Sequence, residues 1–180
     1  MSTKNKKLFI LLTRFRDSGS RALQAFTGSR YTHASIGLEE DMNTFYSFVY
    51  KGFIVEKITR YLKPDRKPFS CQLYELKVSE KVYDAVKKAL TAFQNIKSKF
   101  SYSKLGVAMC LFKIPYKKKF SYFCSQFVAE ILKRTKAAKI DKDCAFYFPK
   151  DLKDIPGLTL AYEGDHQDFV NNYCVNLSFA

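Results

Sequence analysis

Apolar positions along the chain switch between two periods. Leu8 to Leu12 is an unbroken apolar run, LFILL, closed by Thr13 and Arg14, which predicts a short buried first strand. In DSGSRALQAFTGS the spacing turns helical: Ser18 or Ser20 can cap a short helix carrying Leu23 and Phe26, and Gly28 can end it. YTHASIGLEED alternates, with Thr32, Ala34 and Ile36 on one face and His33, Ser35 and Gly37 on the other, as in a strand followed by a turn at EEDMN. TFYSFVYKGFIVEKI is dense in aromatic and β-branched residues and reads as a hairpin turning at Lys51-Gly52. RYLKPDRKPF is a basic loop with two prolines, and SCQLYELKV alternates again as a further strand.

SEKVYDAVKKALTAFQN is a helix. Ser79 caps it, and Val82, Tyr83, Val86, Ala89, Leu90 and Phe93 form one apolar stripe. SKFSYSKLGVAMCLF starts a second helix, with the loop PYKKK after it. YFCSQFVAEILKRTK is a third, packing Phe127, Val128, Ile131 and Leu132 inward. From Ala137 onward the pattern is loop-rich with a few short elements. Without repeats or a linker, residues 1–180 read as one α+β domain.

Composition adds that the chain is foldable and strongly basic. Of 180 residues 47% are hydrophobic, with seven glycines and five prolines, which suits a packed core rather than a disordered chain. The net charge of +14 favours anionic partners: acidic polymers, phospholipid headgroups or nucleic acid. No zinc-finger, RNA-recognition or helix-turn-helix pattern accompanies the charge, which turns the reading away from nucleic acid. The apolar run near the N-terminus is shorter than a secretory h-region, and no stretch approaches the ~20 apolar residues of a membrane span. A cytoplasmic protein is the expectation. The five cysteines are odd in number and dispersed, with no CxxC, so free thiols are expected, with no metal and no cofactor.

One cysteine stands where an apolar segment becomes a helix. Cys124 in YFCSQFVAEIL is either a small core residue or a nucleophile. At a helix N-terminus a thiolate meets the positive end of the macrodipole and unpaired N–H groups, which can also form part of an oxyanion hole. A thiol nucleophile needs a base, and the chain has two histidines. His166, in the polar stretch YEGDHQD, reads as a solvated surface residue. His33 lies within a strand, where it is either a hydrogen-bonded structural residue or the partner of Cys124.

YTHASIGLEEDMNTFYSFVYKGFIVE followed by YFCSQFVAEIL resembles the circularly permuted branch of the papain-like cysteine hydrolases, the NlpC-type and YiiX-like proteins. The matching pieces run from residue 8 to about residue 135, with the histidine strand before the cysteine helix. The resemblance implies an α+β fold in which an antiparallel sheet packs against helices, the Cys-bearing helix among them. It implies Cys124 as nucleophile, His33 as base and Tyr102 near the nucleophile. A third polar residue on a neighbouring strand would orient the histidine, and strand parity favours Ser47 ahead of Glu56. Gln126, in the first turn of the cysteine helix, and Lys118, in PYKKKF, are the candidate substrate contacts.

The implied activity is a thiol hydrolase that cleaves an amide or isopeptide bond in a peptide-like, anionic substrate. Two alternatives stand beside it: a lipid-directed acyltransferase or thioesterase with peripheral membrane contact, and a binding module that keeps the fold.

Overall fold

The computed structural model describes residues 5–14, 24, 25, 27–62 and 69–175. Among the described residues eight strands are formed: β1 (Asn5–Thr13), β2 (His33–Leu38), β3 (Thr44–Val49), β4 (Gly52–Lys57), β5 (Ser70–Ser79), β6 (Ser101–Tyr102), β7 (Ser121–Tyr122) and β8 (Leu158–Asp165). The helices are α1 (Glu80–Asn95), α2 (Lys104–Leu111), α3 (Cys124–Arg134) and the short α4 (His166–Phe169), which continues into a π-helical turn, Val170–Val175. The fold is α+β. Six strands make one sheet in the order β4-β3-β2-β1-β5-β8, antiparallel throughout.

The unbroken apolar run of β1 follows from its position. It is an inner strand, paired with β2 and β5 at its edges, and each of its faces packs into a core. Leu8, Ile10 and Leu12 join Ala34, Ile36, Leu76 and Val78 in the larger core, beneath Tyr83, Val86 and Leu90 of α1 and Phe127, Val128, Ile131 and Leu132 of α3. Phe9 and Leu11 face the other way, toward Phe45, Cys71 and Leu73, and Phe169, Val170 and Cys174 close that side.

Helix α1 starts where its cap predicts, with Ser79 Oγ accepting from the Val82 N–H at 3.4 Å. The hairpin turns at Gly52, whose φ is +98°. Phe48, Phe53, Phe93, Phe100 and Phe127 interlock, with centroids 5.2 Å apart for Phe48 and Phe127 and 4.6 Å for the stacked pair Phe93 and Phe100. This aromatic cluster ties the hairpin to α1, to α3 and to the start of β6. Strands β6 and β7 form a two-residue parallel pair in which Tyr102 lies across from Tyr122. Residues 103–120 are an excursion between these two strands.

One expectation changes, and two fall largely outside the described residues. The stretch after Ala137 contains an eight-residue strand, β8, on the free edge of β5. Its alternation is weak because as an edge strand it has little to bury: Leu160 stays 52% exposed. The helix expected over Ser18–Phe26 falls largely outside the described residues, although Gly28 does end a turn, with φ +64° and its N–H donating to the Gln24 carbonyl. Most of the RYLKPDRKPF loop also lies outside them; Ile58–Tyr61 form a 3-10 turn. All five cysteines are buried free thiols. Among the described residues no helix is long and apolar enough to cross a membrane.

Candidate functional site

Cys124 is the first residue of α3. The preceding Phe123 is the N-cap, extended at φ −105° and ψ 166°. Phenylalanine offers no side-chain acceptor, so the first-turn N–H groups receive no cap from that position. The first turn also holds no acidic residue. The positive end of this helix is therefore aimed at the thiol without a resident anion to neutralise it. Gln126 works in the opposite sense: its Oε1 accepts from the Phe123 N–H at 3.4 Å and fastens the entry to the helix.

His33 opens β2, and α3 packs across β2 and β3. The structure brings the two residues together: Cys124 lies close enough to His33 to help hold the ring's proton. The other ring contact is to Glu56, with Nε2 and Oε1 2.6 Å apart. Cys124, His33 and Glu56 are 4%, 4% and 5% exposed. Burial alone would lower the His33 pKa. The Glu56 charge and the hydrogen bonds to Cys124 and Glu56 outweigh it and raise the ring to about 10. At neutral pH the ring is held as an imidazolium.

This arrangement corrects the choice of orienting residue. Ser47 is fully buried on β3, but its hydroxyl donates to the Ala34 carbonyl at 2.6 Å and not to His33. Glu56 makes that contact instead. Gly37 lies across from Phe45 and Phe45 across from Glu56, so Glu56 is on the His33 face of the sheet. It is a buried carboxylate, not an exposed charge at a strand end. Two further hydroxyls share this face. Thr13 lies directly across from His33, and Ser35 is the next residue on its side of β2. Each buries an oxygen with no hydrogen-bond partner among the described residues.

The remaining candidates lie nearby in different roles. Tyr102 is half-buried on β6, across from Tyr122, two residues before Cys124. Gln126 and Lys118 line one cleft of about 360 Å³, together with Lys117, Lys119, Tyr122 and Arg134. Lys117 is ion-paired there to Asp143 at 3.0 Å, and Arg134 to Glu130 at 3.0 Å. Ser125 is structural, donating to the Tyr147 carbonyl at 2.6 Å. His166 is not a surface residue. It is 1% exposed, stacks on Phe69 with centroids 4.0 Å apart, and accepts from the Phe69 N–H at its Nδ1. Pairing of β8 with β5 draws it inward, which its polar sequence neighbours conceal. Among the described residues no three His, Cys, Asp or Glu side chains converge as a metal-ligand set.

No family model matches the chain, and no curated protein does.

Proposed function

We propose that this protein is a cysteine hydrolase with a permuted papain-like fold, acting through an acyl-enzyme on Cys124. The observation that carries the reading is His33 held between the Cys124 thiol and the buried Glu56 carboxylate. Thiol, imidazole and carboxylate then have the division of labour of a catalytic triad. In this reading Cys124 attacks the substrate carbonyl as a thiolate, with its proton carried by His33. First-turn N–H groups of α3 receive the developing oxyanion. The imidazolium protonates the leaving amine as the C–N bond breaks. Water, deprotonated by the now neutral His33, then cleaves the thioester and restores the pair. Glu56 orients the ring and stabilises its positive form throughout. The cleft with Lys118 and Gln126, which begins two residues from Cys124 but is not lined by Cys124, His33 or Glu56, would supply cationic and hydrogen-bonding groups for a peptide-like, anionic substrate.

Iodoacetamide labelling followed by mass spectrometry tests the core of this. Cys124 should alkylate faster than Cys71, Cys110, Cys144 and Cys174, and His33→Ala should slow it by ~10²-fold or more. Equal, slow labelling of all five in the native protein would overturn the hydrolase reading and leave a binding module. One observation favours the acyl-lipid alternative: an exposed apolar helix, α2, begins two residues after Tyr102. Turnover on cell-wall peptides compared with acyl lipids separates the two.

A further inference from the structure

The excursion between β6 and β7 carries a helix that lacks a polar face. In α2, KLGVAMCL, only the leading lysine is polar, yet only Gly106 and Cys110 are buried. A helix apolar on all sides is normally enclosed by protein or by lipid. Leu105 is 47% exposed, Phe112 74% and Ile114 51%. Leu105 and Phe112 are seven residues apart, two helical turns, so they project on the same side. Lys113 between Phe112 and Ile114 adopts φ +57°, a left-handed conformation that a lysine takes only at a cost. The turn it makes leaves both apolar neighbours in solvent.

Charge says what covers this surface. Between Asp84 and Glu130 the chain holds nine lysines and no acidic residue. Lys104 lies over the ring of Tyr50, itself 72% exposed, at 4.0 Å from its centroid. An apolar patch bordered by the exposed Lys104 and Lys113 does not suit a second copy of this chain, whose own lysines would face it. It does not suit a nucleic-acid backbone either, since Leu105 and Ile114 would lie against solvated phosphates. It suits an anionic bilayer, where apolar side chains enter the acyl boundary and lysines meet the headgroups.

We propose that α2 and the turn after it, through Leu105, Phe112 and Ile114 with Lys104 and Lys113, seat this protein on an anionic phospholipid surface. The two ends of the excursion meet at Tyr102 and Tyr122, so docking sets the lipid surface on the segment that leads into Cys124. The inference does not depend on which bond is cleaved, or on cleavage at all.

Co-sedimentation of the full chain with phosphatidylcholine vesicles, with and without about 30% phosphatidylserine, tests it at roughly 0.1 M salt. The wild-type protein should bind the anionic vesicles. Phe112→Ser/Ile114→Ser and Lys104→Gln/Lys113→Gln should each weaken binding ~10-fold or more. The chain has no tryptophan, so Phe112→Trp provides a single reporter whose emission should shift to the blue on binding. Cys124→Ser should bind as the wild type does, which separates this test from that of the hydrolase. Absence of vesicle binding overturns the proposal. So does binding that Phe112→Ser/Ile114→Ser leaves intact, or a concentration-dependent dimer that the same change abolishes in protein that ignores vesicles.

Discussion

His33 Nε2 and Glu56 Oε1 lie 2.6 Å apart with both side chains more than nine-tenths buried, and Cys124 acts on the same ring. A buried carboxylate beside an imidazole is costly unless the ring is charged, because an isolated anion there would have no counter-ion. The pair therefore favours the imidazolium. That in turn favours transfer of the cysteine proton, since the cation left on His33 is already compensated.

Removing the carboxylate charge should separate the orienting role from packing. Glu56→Gln keeps the volume and a hydrogen-bonding group but cannot stabilise an imidazolium. Alkylation of Cys124 near neutral pH, or turnover once a substrate is found, should fall by ~10²–10⁴-fold. Ser47→Ala should change either rate by less than ~10-fold and cost about 1 kcal/mol of stability, because it only deprives the Ala34 carbonyl of a donor. Rate constants for the two variants measured side by side decide this; a silent Glu56→Gln contradicts the triad.

The same pair fixes a pH dependence of stability. In the unfolded chain His33 titrates near pH 6.5, whereas in the folded protein its pKa is raised to about 10. Below about pH 6.5 both states are protonated and the full stabilisation is present. Above that the folded state alone retains the proton, so the contribution declines with rising pH and is gone beyond about pH 10. Urea midpoints for wild type and His33→Gln, measured from mildly acid to alkaline pH, should converge as the pH rises. A constant difference would show that the ring is not held charged.

Strand and helix positions were legible where burial is one-sided or complete. Alternation located β2 and β5, the 3.6-residue stripe with Ser79 located α1, and the apolar run of β1 marked a strand covered on both faces. The proximity of Cys124 and His33 followed from a resemblance and not from spacing, since two elements 91 residues apart meet only through sheet order. The orienting residue was beyond parity. Ser47 and Glu56 lie on the same face of the hairpin, so alternation admits both. What separates them is reach: the short serine hydroxyl is satisfied by the adjacent strand at Ala34, while the longer glutamate arrives at the ring. His166 and β8 were missed for a related reason, because polar neighbours at a sheet edge read as loop.

Gln126 offers a test of how the helix entry serves the nucleophile. Its Oε1 accepts from the Phe123 N–H, so Gln126→Ala should cost about 1 kcal/mol, as loss of a helix-end cap does. Gln126→Glu retains the acceptor and adds charge in the first turn, where the macrodipole welcomes it. Stability should be unchanged or slightly improved. The added charge should nevertheless slow alkylation of Cys124, by opposing a thiolate in the same turn. Denaturation midpoints together with alkylation rates read the two effects separately, and a Gln126→Glu protein that alkylates at the wild-type rate would remove Gln126 from the electrostatics of the site.

Gly52 links the hairpin to the segment before Cys124. It adopts φ +98°, and a Cβ placed there would come within 2.6 Å of the Phe100 carbonyl oxygen. Side chains with a Cβ are strained at that φ, and the obstructing atom is backbone, which cannot rotate away. Phe100 is stacked on Phe93, so it cannot yield without disturbing the aromatic cluster. Its carbonyl also immediately precedes β6, which pairs with β7 and so sets the approach to Cys124. Gly52→Ala should therefore destabilise the protein by about 2–4 kcal/mol, combining backbone strain with overpacking. In conditions where the variant remains folded, it should also slow Cys124 alkylation, because β6 and β7 must shift with Phe100. Urea denaturation followed by alkylation of the folded fraction checks both. A variant as stable as the wild type would show that the close approach of Gly52 to Phe100 is not a constraint on the fold.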